Sequence, residues 1–306
     1  MSKADVSVSN PAIHRMSPRE RREAWEAVLF LSPWIIGFIC FTAGPVLFSL
    51  GLSFFKWDAI HPARFHGLGN YRQMLHDPLL GKSLWNTAIY AGMYIPGSIG
   101  VALTLAMLLN QKLRGMGVFR TIFYLPYLTA GVATYTLWLV VFDPKSGLIN
   151  RFLRLFFDNP PGWLSDPNWS KPALVIMAVW SVGGMMLVFL AGLQNISDQL
   201  YEAAEIDGAG PISQFFNVTV PILSPTIFFN TIIATIASFR VFEPALVLTS
   251  GGPSNSTLFY VYHLFNRAFT FGQFGYASAM AWLLFAIVLV LTVVQIRVGR
   301  RWVHYG

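Results

Sequence analysis

Asp, Glu, Lys and Arg are sparse along this chain and leave seven long uncharged runs, at 27–55, 83–111, 121–142, 172–197, 208–239, 244–266 and 268–296. A bilayer core is about 30 Å thick, and a helix rising about 1.5 Å per residue crosses it in roughly 20 apolar residues. Six of the runs meet that requirement. The run 244–266 has "TSGGPSNST" at its centre, where two glycines, Pro253 and hydroxyl and amide side chains would leave backbone groups unsatisfied in lipid. It is therefore read as a loop with short flanking helices. The pattern predicts an all-α polytopic chain with about six spans, near 27–55, 83–111, 121–142, 172–197, 219–239 and 276–296.

Outside the spans, residues 1–18 are polar and aperiodic and are expected to form a disordered tail, leaving 19–306 as one transmembrane domain. "SPRERREAWEAVLF" reads as a charged amphipathic lead-in, with Ser17 as N-cap and Pro18 at the first helical position. The first run is too long for a signal-peptide core and is expected to stay as the first helix. The long connections 56–82 and 143–171 both carry Trp, Pro and Asp, and Trp163 and Trp169 suit interfacial anchors. Inside the spans, Pro33, Pro45, Pro96, Pro126, Gly183, Gly184, Pro221 and Pro225 are tolerated as membrane helices tolerate them. They serve close packing and kinks, or a bundle that moves around a substrate.

Composition agrees: 55% of residues are hydrophobic and only 11% charged, against about 25% charged in a soluble domain. The single cysteine, Cys40, excludes an intrachain disulfide and reads as a small packing residue. A net charge of +7 raises nucleic-acid binding as an option. The basic residues instead cluster beside the spans, as Arg19, Arg21 and Arg22, then Lys112, Arg114 and Arg120, then Arg297, Arg300 and Arg301. No nucleic-acid partner is expected. Six spans put all three clusters on one side, which the positive-inside rule makes cytoplasmic, together with both termini. The 21 lysines and arginines as a whole divide almost evenly between the sides, so the clustering in short loops carries the orientation.

The missing chemistry narrows function further. No Asp, Glu, Lys or Arg lies inside the six spans, whereas ion-coupled transporters and pumps place ionisable groups at membrane depth. There is no His-Glu-x-x-His pattern, no paired catalytic carboxylates and no Gly-x-Ser-x-Gly elbow. No catalytic residue, metal or cofactor is predicted. "SGGPSNST" is superficially like a phosphate-binding loop but lacks the lysine that reaches the terminal phosphates. Energy for uphill movement would have to come from a partner.

One polar segment, "EAAEIDGAGPISQFF" at 202–216, interrupts the apolar pattern. Ser197 can cap a short helix over 198–208, Asp198 suits its positive end, and Gly208 suits a left-handed termination. Pro211 can open a second short helix that leads through Phe215 and Phe216 to Pro221. Ala203 and Ala204 make one face flat enough for another protein to approach, with Glu202 available to a basic group at the rim.

"EAAEIDGAGPISQFFNVTVPILSP" resembles the cytoplasmic EAA loop of binding-protein-dependent ABC importer permeases: Glu202, Ala203, Ala204, Gly208, Val218, Val220 and Pro221 fall on its pattern. Val218 and Val220 stand where Ile and Leu are common. "GLGNYRQML", "NQKLRGMGVFRTIFYLP", "LVLTSGGPSNSTLFYVYHLF", "FGYASAMAWLLF" and "RRWVHYG" resemble the carbohydrate-uptake subfamily, the maltose, glycerol-3-phosphate and multiple-sugar type. The resemblance implies a type I importer permease with MetI-like architecture in a bacterial inner membrane. It implies no catalytic activity of its own, and partners that do the rest: a homologous second permease, two copies of a cytoplasmic ABC ATPase, an extracytoplasmic solute-binding protein, a sugar-like substrate and membrane lipid.

By resemblance the cytoplasmic loop 198–218 is a coupling helix set in an ATPase cleft, with Glu202 making the polar contact, Ala203 and Ala204 the close packing, Gly208 the turn, and Asp207 and Pro221 completing the segment. The family's sugar contacts fall here near Trp180, Ser181 and Gly184 and near Asn230, Ser238, Arg240, Phe242 and Glu243. Gly251, Gly252 and Pro253 match the family's loop between the last two spans, a tight outer turn. A stand-alone channel or facilitator is the competing reading, because it too would lack membrane charges. A membrane-embedded enzyme has no catalytic constellation in its favour.

Overall fold

The computed structural model describes residues 17–111, 113–129 and 131–303. The expected disordered tail at 1–18 lies almost wholly outside them. Contacts divide the chain into residues 1–51 and residues 52–306.

The first unit is helical. Helix α1, Pro18–Phe38, starts with a reciprocal cap in which Ser17 accepts from the Glu20 amide and the Glu20 carboxylate accepts from the Ser17 amide. Arg19 and Arg22 pair with Glu23 and Glu26 one turn on. A π-helical turn at Ile39–Ala43, which holds an exposed Cys40, leads into α2, Gly44–Leu52. Together they form a helix of 35 residues, long enough to span a bilayer.

The second unit begins with a two-residue antiparallel ribbon, β1 Phe55–Lys56 and β2 Arg64–Phe65, followed by α3, Gly69–Leu75. Helix α4, Pro78–Leu109, is 32 residues and about 48 Å long. Asp77 caps it, accepting from the Leu79 amide, and Pro78 occupies the first turn, where no donor is lost. Next come α5 Met116–Leu128, α6 Gly131–Val141, α7 Leu148–Leu153, α8 Ser170–Trp180, α9 Gly183–Gln194, α10 Asp198–Ile206, α11 Pro211–Gln214 and α12 Val220–Ile222. Helix α13 covers Ser224–Phe239, α14 Tyr260–Phe265 and α15 Phe274–Gly299.

Three helices, Pro18–Leu52, α4 and α15, are each long and apolar enough to cross alone, and six spans result if each bent pair counts as one. Within the runs expected as spans at 121–142, 172–197 and 219–239, the prolines and glycines read as kink positions coincide with bends. α5 and α6 meet at 99°, α8 and α9 at 51°, and the Pro211–Ile222 segment and α13 at 69°. A proline or a close helix contact lies at each break. Pro126 ends the hydrogen-bond ladder of α5, and Leu223 sits between Pro221 and Pro225, neither of which can donate. At Ser181–Val182 the break precedes Gly183, whose missing Cβ lets α9 lie directly on the backbone of α5 at Phe123 and Tyr124.

α4 runs through the middle of this unit, against α8, α9, α13 and α14. Ala102 and Ala106 on it are fully buried, as close helix contact in a membrane requires. Leu103, Met186, Phe189 and Leu193 fill the core toward the C-terminal end of α4, and Tyr90, Trp138, Phe142 and Leu174 fill it toward the other. Trp163 belongs to that second cluster. It is buried and donates from Nε1 to Asn150 Oδ1 at 2.7 Å, so it is a core residue and not the interfacial anchor expected of it. Trp169 is half exposed and packs edge-on against it.

The region 244–266 is a loop flanked by short helical pieces, and α4 supplies what its backbone lacks. Asn86 donates to the carbonyls of Asn255 and Leu258, and Thr87 accepts from the Tyr260 amide. Phe285, Leu289 and Val290 on α15 are exposed, an apolar surface suited to lipid.

Candidate functional site

Three places in residues 52–306 concentrate polar or aromatic chemistry. The first is the corner between α10 and α11. Ser197 Oγ accepts from the Gln199 amide at the start of α10, and Asp198 lies in its first turn. At the other end the Gly208 amide donates to the Glu205 carbonyl and the Ala209 amide to the Ala204 carbonyl, the paired closure that needs a left-handed residue. Gly208 supplies it, with φ of 82°. Pro211 then opens α11. Gln214 Nε2 braces the corner by donating to the Ala209 carbonyl, and the Tyr201 and Thr219 hydroxyls meet at 3.0 Å.

The result is a braced knob whose outer surface mixes apolar and acidic groups. Ile206, Ile212 and Phe216 are 86%, 76% and 63% exposed, far more than core residues of their type. Glu202, Ala203, Glu205 and Asp207 are exposed beside them, while Ala204 is partly covered. Pro221 sits behind the knob at the start of α12. Tyr201 and Phe215 pack with Leu109 and Ile196, which places the knob at the C-terminal end of α4. Arg114 and Arg120 lie at this end, with Arg120 donating to the Leu109 carbonyl.

The second place is the opposite end of α4. The Asp77 carboxylate is 4% exposed, and its Oδ2 accepts from His263 Nε2, Arg267 Nη2 and the Tyr276 hydroxyl. Burial alone would raise this carboxyl, but the hydrogen bonds from Tyr276 and His263 and the charge of Arg267 outweigh it and hold it below the usual range. Burial lowers the His263 imidazole, more than Asp77 raises it. The turn at Gly251, Gly252 and Pro253 lies at the same end, where Lys82 donates to the Ser254 carbonyl. Gly251 has φ of 81° and faces the Tyr262 ring, which a Cβ would overlap.

The third place is a cavity of about 580 Å³ whose walls include Tyr90, Tyr94, Tyr135, Arg240, Phe242 and Glu243. The Tyr90 and Tyr94 rings stack at 5.7 Å, and the Tyr135 hydroxyl donates to Glu243 Oε2 at 3.1 Å. Of the eight substrate-path candidates, Arg240, Phe242 and Glu243 line this cavity. The other five do not. Trp180 packs edge-on against Trp138, Ser181 sits in the break between α8 and α9, and Gly184 lies under the Tyr127 ring. Ser238 is buried with its hydroxyl on the Thr235 carbonyl, and Asn230 is buried away from the cavity. The three tyrosines escaped the sequence reading. Tyr90 and Tyr94 stand one helical turn apart in "IYAGMY", a spacing that puts two ring faces on one side of a helix.

A family model described as "Binding-protein-dependent transport system inner membrane component" matches residues 83–304. "Probable ABC transporter permease protein YesP" of Bacillus subtilis (strain 168) is 40% identical over 292 residues, covering 93% of this chain and 94% of its own. "Lactose transport system permease protein LacF" of Rhizobium radiobacter is 36% identical over 278 residues, covering 89% and 93%. Among solved structures, a chain of a bacterial alginate ABC transporter, in complex with an alginate pentasaccharide-bound periplasmic protein, superimposes with a TM-score of 0.81. It is 22% identical and covers 94% of this chain and 98% of its own, a likeness of fold.

Proposed function

The chain belongs to the family of binding-protein-dependent transport system inner membrane components, and we propose that it forms one half of the membrane pathway of an ATP-driven importer for a sugar or sugar-like solute. In this reading the chain is not an enzyme; hydrolysis belongs to two copies of a cytoplasmic ABC ATPase. A homologous second permease completes the pathway, and an extracytoplasmic solute-binding protein delivers the cargo. The chain lies in a bacterial inner membrane with the α10 end and both termini on the cytoplasmic side, as the flanking arginine clusters support.

The observation that carries the coupling is the braced knob. An isolated surface loop has no use for three exposed apolar side chains, and a partner cleft does. Ala203 and Ala204 allow close approach, Glu202 and Asp207 offer carboxylates to basic groups at the rim, and Gly208 and Pro221 fix the angle at which the knob leaves the bundle. When the ATPases close, the knob moves with them as a rigid body, and the bends at Ser181–Val182 and Leu223 give the bundle places to change shape.

The cavity supports a sugar as cargo. Ring faces at Tyr90, Tyr94 and Phe242 suit the apolar face of a pyranose, and Arg240, Tyr135 and Glu243 offer donors and an acceptor to its hydroxyls. The names of LacF and of the alginate transporter point to the same class. Trp180, Ser181, Gly184, Asn230 and Ser238 then act on the path through packing, and the turn at Gly251, Gly252 and Pro253 shapes the outer mouth.

The test is co-expression with the ATPase and the sister permease, followed by pull-down and by ATP hydrolysis with and without binding protein. Glu202→Lys combined with Gly208→Leu is expected to insert normally and to lose assembly or stimulation. Normal assembly and stimulation would reopen the stand-alone channel reading.

A further inference from the structure

The short ribbon pairs Lys56 directly with Arg64. Side chains at paired positions leave the same face with Cβ atoms about 5 Å apart, and like charges placed so cost stability. Among the described residues neither side chain has an ion-pair or hydrogen-bond partner. Asp58 is near but committed elsewhere: its Oδ1 accepts from the amides of Ile60 and His61, and its Oδ2 meets His61 Nδ1.

The backbone of β1, which carries Lys56, is anchored from two sides, while both cations stay exposed. Buried Asn70 clamps it from α3, donating from Nδ2 to the carbonyls of Ser53 at 2.7 Å and Phe55 at 2.9 Å. Gly275 at the start of α15 lies so close to the Phe55 carbonyl that a Cβ would overlap it. Lys56 and Arg64, with Asp58, His61, His66, Gln73 and Gln273, line an open pocket of about 560 Å³. The pocket adjoins Tyr276 and so belongs to the Asp77 end of α4, roughly the full length of that helix from the knob.

An anchored ribbon that carries two unpaired cations at paired positions, beside a pocket wide enough for a side chain, is complementary to a carboxylate. We propose that this pocket receives an acidic side chain of the solute-binding protein when it docks on the outer face. The proposal rests on the importer reading and assigns the docking contact to Lys56 and Arg64. Rim charges of this kind act chiefly on encounter rate and on salt dependence.

The experiment is ATP hydrolysis by the reconstituted transporter, titrated with the binding protein that stimulates the wild type. Lys56→Gln combined with Arg64→Gln is expected to raise the half-saturating concentration about tenfold in low salt and to flatten its salt dependence. Lys56→Arg combined with Arg64→Lys should keep both near wild type. An unchanged half-saturation and salt slope in the glutamine pair overturns the proposal while leaving the importer reading intact. Absence of stimulation in the wild type with every binding protein tried fells the importer reading, and the docking contact with it. A third arm separates sources of the anion. If sodium acetate stabilises the wild type against heat but not the glutamine pair, and half-saturation is the same in both, the site holds a free anion and the docking proposal is wrong.

Discussion

Arg267 Nη2 donates to Asp77 Oδ2 at 2.8 Å, joining residues 190 positions apart at one end of the bundle. With His263 and Tyr276 on the same oxygen, this carboxylate ties the start of α4 to α14, to the helical turn after it and to the start of α15. Removing one partner of a buried ion pair strands the other, which costs about 3 kcal/mol or more. Asp77→Asn keeps the capping oxygen and loses the charge, so it isolates this term from the helix cap. It is expected to lower unfolding stability in detergent by about 3 kcal/mol, and Tyr276→Phe by about 1 kcal/mol. Equal stability of Asp77→Asn and wild type would show that the hub is ornamental.

The same hub predicts acid sensitivity. His263 is held below its usual value of 6.5 when folded, so the unfolded chain takes up a proton first as the pH falls, and stability declines from about that pH downward. Asp77 is held below 3.8, so its contribution is present above that value and is lost at more acid pH still. Both effects have the same sign. Melting temperature should fall from pH 7 to pH 5, and His263→Gln should flatten that limb. A flat wild-type profile over this interval contradicts the assignment.

Gly183 offers a cleaner packing test. A Cβ there would come within 2.6 Å of the Phe123 carbonyl oxygen and 2.8 Å of Tyr124 Cα, both backbone atoms that cannot swing aside. Gly183→Ala should force α9 off α5 and cost about 1–3 kcal/mol. Gly100→Ala, with nothing within 4 Å of the new methyl, is the control and should be neutral or slightly stabilising. Similar losses in both variants would mean that helix contact at Gly183 is not limiting.

In the cavity, Tyr135→Phe removes the hydroxyl that donates to Glu243 and leaves the ring. If sugar is held here, uptake should show a raised half-saturating concentration, about 5–10-fold for a lost neutral hydrogen bond to a sugar hydroxyl. Ser238→Ala, whose hydroxyl is bonded to its own helix, should leave uptake unchanged. The reverse pattern would move the substrate path from the tyrosine cavity to the buried face of α13.

What could be read from sequence follows from the range of the interactions. The α10–α11 corner was legible because Ser197, Gly208 and Pro211 act on backbone within a few residues of themselves, and the structure has each in its expected place. The uncharged runs at 27–55, 83–111 and 276–296 overlap the long apolar helices Pro18–Leu52, α4 and α15. The prolines Pro126, Pro221 and Pro225 marked where kinks could fall, but not their angles, because a proline in a membrane helix permits a kink and interhelical contact sets its size. Asp77 with Arg267, and Tyr135 with Glu243, meet across 190 and 108 positions. No local pattern encodes such pairs. Trp163 shows the same limit, since its composition-based reading as an anchor gave way to one partner, Asn150.

The knob itself can be tested without disturbing the fold. Ala203 is exposed on α10, so Ala203→Trp meets no core atom and should leave stability within about 0.5 kcal/mol of wild type, as surface substitutions do. Gly208→Ala, by contrast, has open space around the new methyl but must hold φ near 82°, which costs about 1 kcal/mol in the corner alone. If α10 enters a cleft of an ATPase, the bulky indole at 203 should abolish co-purification while melting stays put, and Gly208→Ala should only weaken it. An Ala203→Trp chain that melts normally and still retains its ATPase would mean that the flat alanine face is not the docked one, and the contact would then have to be sought on Ile206, Ile212 and Phe216.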